Sequence, residues 1–187
     1  MKLLALAALS LIGASVPVEK FPDPADVTFK LRCRGDDGRV IGTGFYINDH
    51  YLATAAHVAK DRLCSVEGEE APTVYADGDA DIAVIRTESV GPGRIPISCK
   101  KPSKGKAYTA IGFPGGMGME KRAFVGTGNY VSPDDKKFHG MARFDGAAAP
   151  GMSGSAILRN GRVVGILTAT SNAEMLGRSL SDTWLCK

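Results

Sequence analysis

Nothing in this sequence stays apolar for the roughly 20 residues that a membrane-spanning helix needs. The longest apolar stretch, Leu3–Ala14, is broken by Ser10 and Gly13, so a permanent helical anchor is not expected. Charge of one sign is scarce as well. The formal net charge is +3 over 187 residues, which gives no reason to expect nucleic acid or an anionic membrane surface as a partner, because such binders concentrate basic side chains on one patch. The densest basic run, Lys100, Lys101, Lys104 and Lys106, is broken by Pro102 and Gly105 and reads as a solvated connector. No two cysteines form a CxxC pair, and His50, His57 and His139 lack the i, i+4 spacing of a helical metal site. No metal or other cofactor is therefore expected. His50, in the turn Asn-Asp-His-Tyr, is expected to be exposed, and His139 follows the charged loop Asp134–Lys137. Internal repeats, low-complexity tracts and long helical periodicities are missing too.

What is present begins with a leader. Met1-Lys2 precedes the apolar run, and Gly13-Ala14-Ser15 follows it before Pro17 and the charged Glu19-Lys20. A basic start, a short apolar core and a small-residue exit describe a secretory signal peptide, here assigned to residues 1–15 with a lead-in over 16–26. No cysteine follows the run, so lipid modification is not indicated. An exported chain, periplasmic or extracellular, is the expectation. Cys33, Cys64, Cys99 and Cys186 are then an even set in an oxidising compartment, which favours disulfides in any of three pairings.

Glycine (23 residues) and proline (10 residues) are frequent enough to point to many turns. Short apolar runs recur between turn signals. Strands are expected at Val27–Cys33, Val40–Ile47, Tyr51–Thr54, Thr73–Ala76, Ile82–Arg86, Ala107–Phe113, Phe124–Val131, Met141–Phe144, Ser155–Leu158 and Val163–Ala169. Asn160-Gly161 between the last two is a strong hairpin signal, since both residue types tolerate positive φ. Helix is expected only as a turn at Ala55–Lys60 and in the tail near Glu174–Leu185. Many short strands at regular spacing mean an all-β protein. Their two clusters, about 27–98 and 106–187, suggest two packed barrels in one domain over residues 27–187.

Three local patterns carry chemistry, in the order His, Asp, Ser. Leu52-Ala-Thr-Ala-Ala-His57 puts a histidine at a small-residue turn after an apolar strand. Asp79-Ala-Asp81-Ile-Ala-Val-Ile85 puts a carboxylate at the mouth of another. Pro150-Gly-Met-Ser153-Gly-Ser155 puts a serine on a glycine-flanked turn before a third. A serine hydroxyl must lose its proton as it attacks a carbonyl carbon. An imidazole titrating near neutrality takes that proton and returns it to the leaving amine. A carboxylate holds the ring in the right tautomer and stabilises the imidazolium. The backbone N–H groups of Gly151 and Ser153 are the candidates for binding the developing oxyanion.

With these motifs in order, the sequence resembles the chymotrypsin-like (trypsin-type) serine peptidases, and most closely the protease domain of the high-temperature-requirement (HtrA) type, without a PDZ domain. Gly42-Thr-Gly-Phe-Tyr-Ile47, Thr54-Ala-Ala-His57, Asp81-Ile-Ala-Val, Ile111-Gly-Phe-Pro114 and the stretch from Asp145 through Ser155 to Asn160-Gly-Arg-Val-Val-Gly-Ile166 carry the likeness. The resemblance implies a double barrel of two six-stranded antiparallel barrels, with His57, Asp81 and Ser153 as a catalytic triad in the cleft between them. It implies the pairing Cys33–Cys64, which leaves Cys99–Cys186. It implies a primary pocket walled by Ala147, Ala148 and Ala149 on one side and Thr168, Ala169 and Thr170 on the other, uncharged and suited to a small or medium apolar side chain of a protein or peptide substrate. Asp145 at the pocket base would change that preference.

Two departures stand out. Met152 occupies the place where digestive relatives carry an aspartate for zymogen activation, so that switch is not expected. Ser155 replaces a second glycine, a change expected to be harmless. A catalytically silent relative that binds protein through the cleft is the alternative. An acyl hydrolase of another fold is disfavoured, because the last position of its GxSxG elbow is Ser155 and the chain order differs.

Overall fold

The computed structural model describes residues 21–114, 122–129, 142–145, 148–171 and 174–187. The leader at 1–15, the lead-in up to residue 20, His139 and Ala147 lie outside the described residues. Strands β1 (Thr28–Gly35), β2 (Gly38–Tyr46), β3 (Tyr51–Thr54), β4 (Leu63–Val66), β5 (Glu69–Ala71), β6 (Thr73–Asp77) and β7 (Ile82–Arg86) form one antiparallel sheet, ordered β5-β4-β1-β2-β3-β7-β6. A single helix, α1 (Ala56–Ala59), follows β3. Strands β8 (Lys106–Gly112), β9 (Arg122–Asn129), β10 (Ala142–Asp145), β11 (Ala156–Arg159), β12 (Arg162–Ser171) and β13 (Glu174–Ser179) close a six-stranded barrel, ordered β10-β13-β12-β11-β8-β9. This is the all-β double-barrel architecture, with seven strands rather than six in the first sheet.

Alternation explains how the two halves become one body. Successive strand residues face opposite sides of a sheet. In β11, Ile157 points into the second barrel with Tyr108, Phe144, Leu167 and Met175. Its neighbours Ala156 and Leu158 join a cluster with Leu31, Phe45, Leu52, Ile82 and Ile85 of the first sheet. β12 divides in the same way, Val164 and Leu167 inward, Val163 and Ile166 toward the first half. Each large side chain so buried is worth about 1.5–3 kcal/mol. The interface is therefore a continuation of the core, and it holds the cleft residues of both halves in fixed relation. Asn160 (φ 51°) and Gly161 (φ 71°) make the expected tight turn between β11 and β12.

The tail is strand where helix was expected. β13 pairs with β10 and β12, and the chain then makes only two single turns of 3-10 helix, Leu180–Asp182 and Trp184–Cys186. Gly177 explains the outcome: a Cβ there would lie 2.3 Å from Ile157 Cδ1 and 3.0 Å from Ile166 O. The barrel needs this close strand to complete itself. β4 and β5, missed in the sequence, are only four and three residues long, and their turn uses Glu67 (φ 52°) and Gly68 (φ 94°). The disulfides are Cys33–Cys64 and Cys99–Cys186. The first joins directly opposed residues of β1 and β4, pinning the segment that follows α1. In the chain-entropy model, closing 31 residues contributes roughly 3–4 kcal/mol.

Candidate active site

β3 ends at Thr54, and α1 starts after Ala55, so His57 sits on the first turn of a very short helix. The helix fits there because its inner side is small. Ala55, Ala56, Val58 and Ala59 are buried, while the His57 side chain keeps 47% of its surface exposed. β2 approaches this turn closely only because residue 42 is glycine; a Cβ would fall 2.5 Å from Val58 Cγ1.

Asp81 is the turn residue just before β7, in the left-handed region at φ 53°, a conformation Asp adopts more readily than most residues. That turn aims its carboxylate at His57. Oδ1 accepts from the His57 backbone N at 2.9 Å, and Nδ1 lies 3.1 Å from Oδ1 and 2.9 Å from Oδ2. A neutral ring held this way carries its proton on Nδ1, which leaves the Nε2 lone pair for the cleft.

Two arginines that the sequence did not single out brace this pair. Arg178, on β13 of the second barrel, donates from Nε to Ala80 O at 3.1 Å and from Nη2 to Asp79 O at 2.9 Å, fixing the turn that presents Asp81. Arg62 donates from Nη1 to the carbonyls of His57 at 2.5 Å and Val58 at 3.4 Å. Its guanidinium also pairs with Asp37. The hydrogen bond from Arg62, aided by its charge, holds the Asp37 carboxyl below the ordinary carboxylate range. An isolated arginine, whether in a loop like Arg62 or on a strand like Arg178, gives no local pattern by which either contact could be read in advance.

Ser153 is half-buried on the loop between β10 and β11. Thr43 on β2 anchors that loop. Its N–H donates to Ser153 O at 2.8 Å, its Oγ1 donates to Gly151 O at 2.9 Å, and its carbonyl accepts from Thr54 Oγ1 at 2.7 Å. Thr43 Oγ1 also accepts from Phe113 N at 3.1 Å, so one buried hydroxyl ties together β2, the serine loop and the end of β8. Ser153 O comes within 3.2 Å of where a Gly42 Cβ would be, and that same point touches Val58 beside His57. The fold thus brings the serine loop against the strand that packs on the histidine turn.

The loop amides divide in a useful way. Met152, Gly154 and Ser155 donate to Ala149 O (3.0 Å), Leu167 O (2.7 Å) and Met152 O (3.0 Å). Among the described residues, no backbone acceptor takes the N–H of Gly151 or Ser153. Thr43→Val, close to isosteric, removes both Oγ1 hydrogen bonds. We expect a loss of roughly 1–3 kcal/mol in thermal unfolding, with rescue by Thr43→Ser. Equal unfolding of Thr43→Val and the parent chain would remove Thr43 from the anchoring of this loop.

Ala148 and Ala149 are half-buried beside the serine loop, and Thr168 is buried on β12 with its Oγ1 donating to Leu176 O at 3.2 Å. Ala169 and Thr170 continue β12, and Asp145 ends β10. Met152 is sunk into the second core with Ala148, Ile157 and Leu167, so apolar burial anchors the loop at that position. Ser155 is fully buried, and among the described residues its Oγ has no hydrogen-bond partner. A Cβ on Gly112 would lie 2.0 Å from that oxygen, so glycine at 112 is what makes room for serine at 155. His50 belongs elsewhere: it is half-buried rather than exposed, with Nδ1 3.3 Å from Thr87 O.

A family model described as the trypsin-like peptidase domain matches residues 42–166, a span that begins at the strand packed on Val58 and contains His57, Asp81 and Ser153. No curated protein matches the sequence. Among solved structures, the active form of the Rv3671c protease from M. tuberculosis superposes with a TM-score of 0.71 at 18% identity, covering 89% of both chains. The serine endoprotease from Yersinia pestis gives 0.70 at 22% identity, over 85% of this chain and 60% of that one. The thermostable serine protease AL20 from an extremophilic microorganism gives 0.69 at 18% identity, over 84% of this chain and 93% of that one.

Proposed function

The chain belongs to the trypsin-like peptidase family, and from that premise we propose that it is a serine endopeptidase working through an acyl-enzyme at Ser153. The observation that carries this reading is the two-oxygen grip of Asp81 on His57, set beside a serine loop fastened to the neighbouring strand. His57 Nε2 takes the proton of Ser153 Oγ as that oxygen attacks the substrate carbonyl carbon. The tetrahedral oxyanion accepts hydrogen bonds from Gly151 N–H and Ser153 N–H, neither of which meets a backbone acceptor among the described residues. A donor of this kind is worth about 3–4 kcal/mol of barrier. The C–N bond then breaks while His57 gives its proton to the amine nitrogen. Water repeats the sequence in reverse to free the acid and regenerate Ser153. Asp81 keeps the ring oriented and stabilises the imidazolium in both halves.

The substrate is a protein or peptide. Uncharged walls at Ala148, Ala149 and Thr168 favour a small or medium apolar side chain before the cut, because an unpaired charge would be desolvated there. Two disulfides and the leader-like start suit an exported protein in an oxidising compartment. Digestion of a denatured protein mixture, with the new termini read by mass spectrometry, tests this reading. We expect cuts after small and medium apolar residues with the parent chain and none with Ser153→Ala. Cuts concentrated after Lys, Arg, Asp or Glu would contradict the pocket assignment.

A further inference from the structure

The Asn160-Gly161 turn places Arg159 and Arg162 directly opposite each other across β11 and β12. Like charges in that relation destabilise a strand pair. The other opposed arginine pair, Arg34 and Arg39, is relieved by Glu70, which lies 3.2 Å from Arg34. Among the described residues, no carboxylate gives Arg159 or Arg162 such relief. They border a cavity of about 520 Å³ together with Lys100, Lys101, Asn160 and Tyr108, and none of its described lining residues is a carboxylate. Among the described residues, Arg159, Arg162 and Lys100 enter no ion pair. Four cations in one cavity exceed the formal charge of the whole chain, +3.

The cavity is built on fixed elements. Ser98 N donates to Val163 O at 2.7 Å, Ile97 bridges Val163 in parallel, and the Cys99–Cys186 disulfide ties the next residue to the tail. These contacts bring Lys100 and Lys101 to the β11–β12 hairpin. Tyr108 is buried, its oxygen accepts from Ser103 N at 2.7 Å, and the Arg159 guanidinium lies 5.9 Å from its ring centroid. That contact steadies a charged group at the cavity wall. The basic run that reads as a solvated connector in the sequence is thus one wall of a concave site whose other wall comes from the hairpin. Arg159 lies six positions after Ser153, which puts the site up to about 20 Å from the proposed nucleophile.

We propose that this cavity is a binding site for a compact ligand bearing two or more phosphate groups. Guanidinium forks match phosphate oxygens two at a time, and lysine ammonium groups add charge without demanding one geometry. Convergence of four cations on one concavity fits closely spaced negative charges better than a lone carboxylate. The assignment does not depend on the proteolytic reading, since none of these residues belongs to the triad or its loop.

Titration calorimetry of the whole, disulfide-intact protein with sodium tripolyphosphate at about 0.15 M salt tests the site. One saturable site is expected, with a Kd below about 1 mM. The variant Lys100→Gln/Arg162→Gln should weaken it by about tenfold or more. The variant Arg32→Gln/Arg39→Gln removes equal charge from the first sheet and should leave it within about twofold. Phosphatidylcholine vesicles containing cardiolipin, whose headgroup carries two phosphates, are the second arm. Vesicle binding that tripolyphosphate displaces, and that the first variant loses, assigns the phosphates to a lipid headgroup. Tripolyphosphate binding without vesicle binding assigns them to a soluble ligand. No saturable binding in either arm, or equal weakening by both variants, overturns the proposal.

Discussion

Replacing His57 with alanine is expected to lower kcat by about a millionfold, and Asp81→Asn by about 10⁴-fold, with both proteins folded. The two losses differ in kind. Without the imidazole, nothing takes the Ser153 proton as the carbonyl is attacked. With asparagine at 81, the ring remains but its environment inverts: an amide can donate to Nδ1, which favours the proton on Nε2, and the base then presents N–H to the serine. The carboxylate also accepts from the His57 backbone N at 2.9 Å, so Asp81→Ala should loosen the helix start as well and unfold earlier than Asp81→Asn. Steady-state kinetics beside thermal unfolding separates these effects. If Asp81→Asn kept kcat within tenfold, orientation by Asp81 would be excluded as a major contribution.

Gly154→Ala is expected to fail at the level of folding. The residue has φ +92°, and a Cβ would sit 2.0 Å from Thr43 O and 2.3 Å from Thr54 Oγ1. Thr43 O is backbone of β2, and Thr54 Oγ1 is held by its bond to that same oxygen, so neither yields cheaply. Moving the loop instead breaks Gly154 N to Leu167 O and Thr43 N to Ser153 O, each a buried contact. The loss should exceed about 4 kcal/mol, or leave no soluble protein. Gly161→Ala is the control. Its φ is +71°, yet nothing lies within 4 Å of its Cβ, so only the left-handed backbone cost of roughly 1–2 kcal/mol applies. Equal thermal shifts for the two variants would show that crowding at 154 is relieved elsewhere.

Several parts of this molecule were legible because the signal is local. The His57 turn shows as alanines around one polar ring, the β11–β12 hairpin as Asn160-Gly161, and β7 as the continuous apolar run Ile82–Ile85, buried where the halves meet. The tail was misread because its residues are compatible with a turn of helix, while the deciding contact, Gly177 against Ile157, joins positions distant in sequence. β4 and β5, four and three residues long, are too short to show a period, and their position depends on pairing with β1 and the bridge from Cys64 to Cys33. Within the proposed site, the motifs around 57, 81 and 153 could be picked out from residue types alone. The bracing by Thr43, Arg62 and Arg178 did not, since a hydroxyl or guanidinium acquires such a role only from what the fold brings to it. Lys100 and Lys101 show the same limit: their charge was visible, but their convergence with Arg159 and Arg162 was not.

The central claim is that Ser153 is an activated nucleophile served by His57. Intact-mass measurement after treating the folded, disulfide-intact protein with a fluorophosphonate tests it most directly, because the reagent reads serine activation without any assumption about substrate. A single adduct on the parent chain, none on Ser153→Ala and a much slower reaction with His57→Ala is the expected result. A folded parent chain that takes up no adduct, or one that labels equally well without Ser153, would contradict the claim.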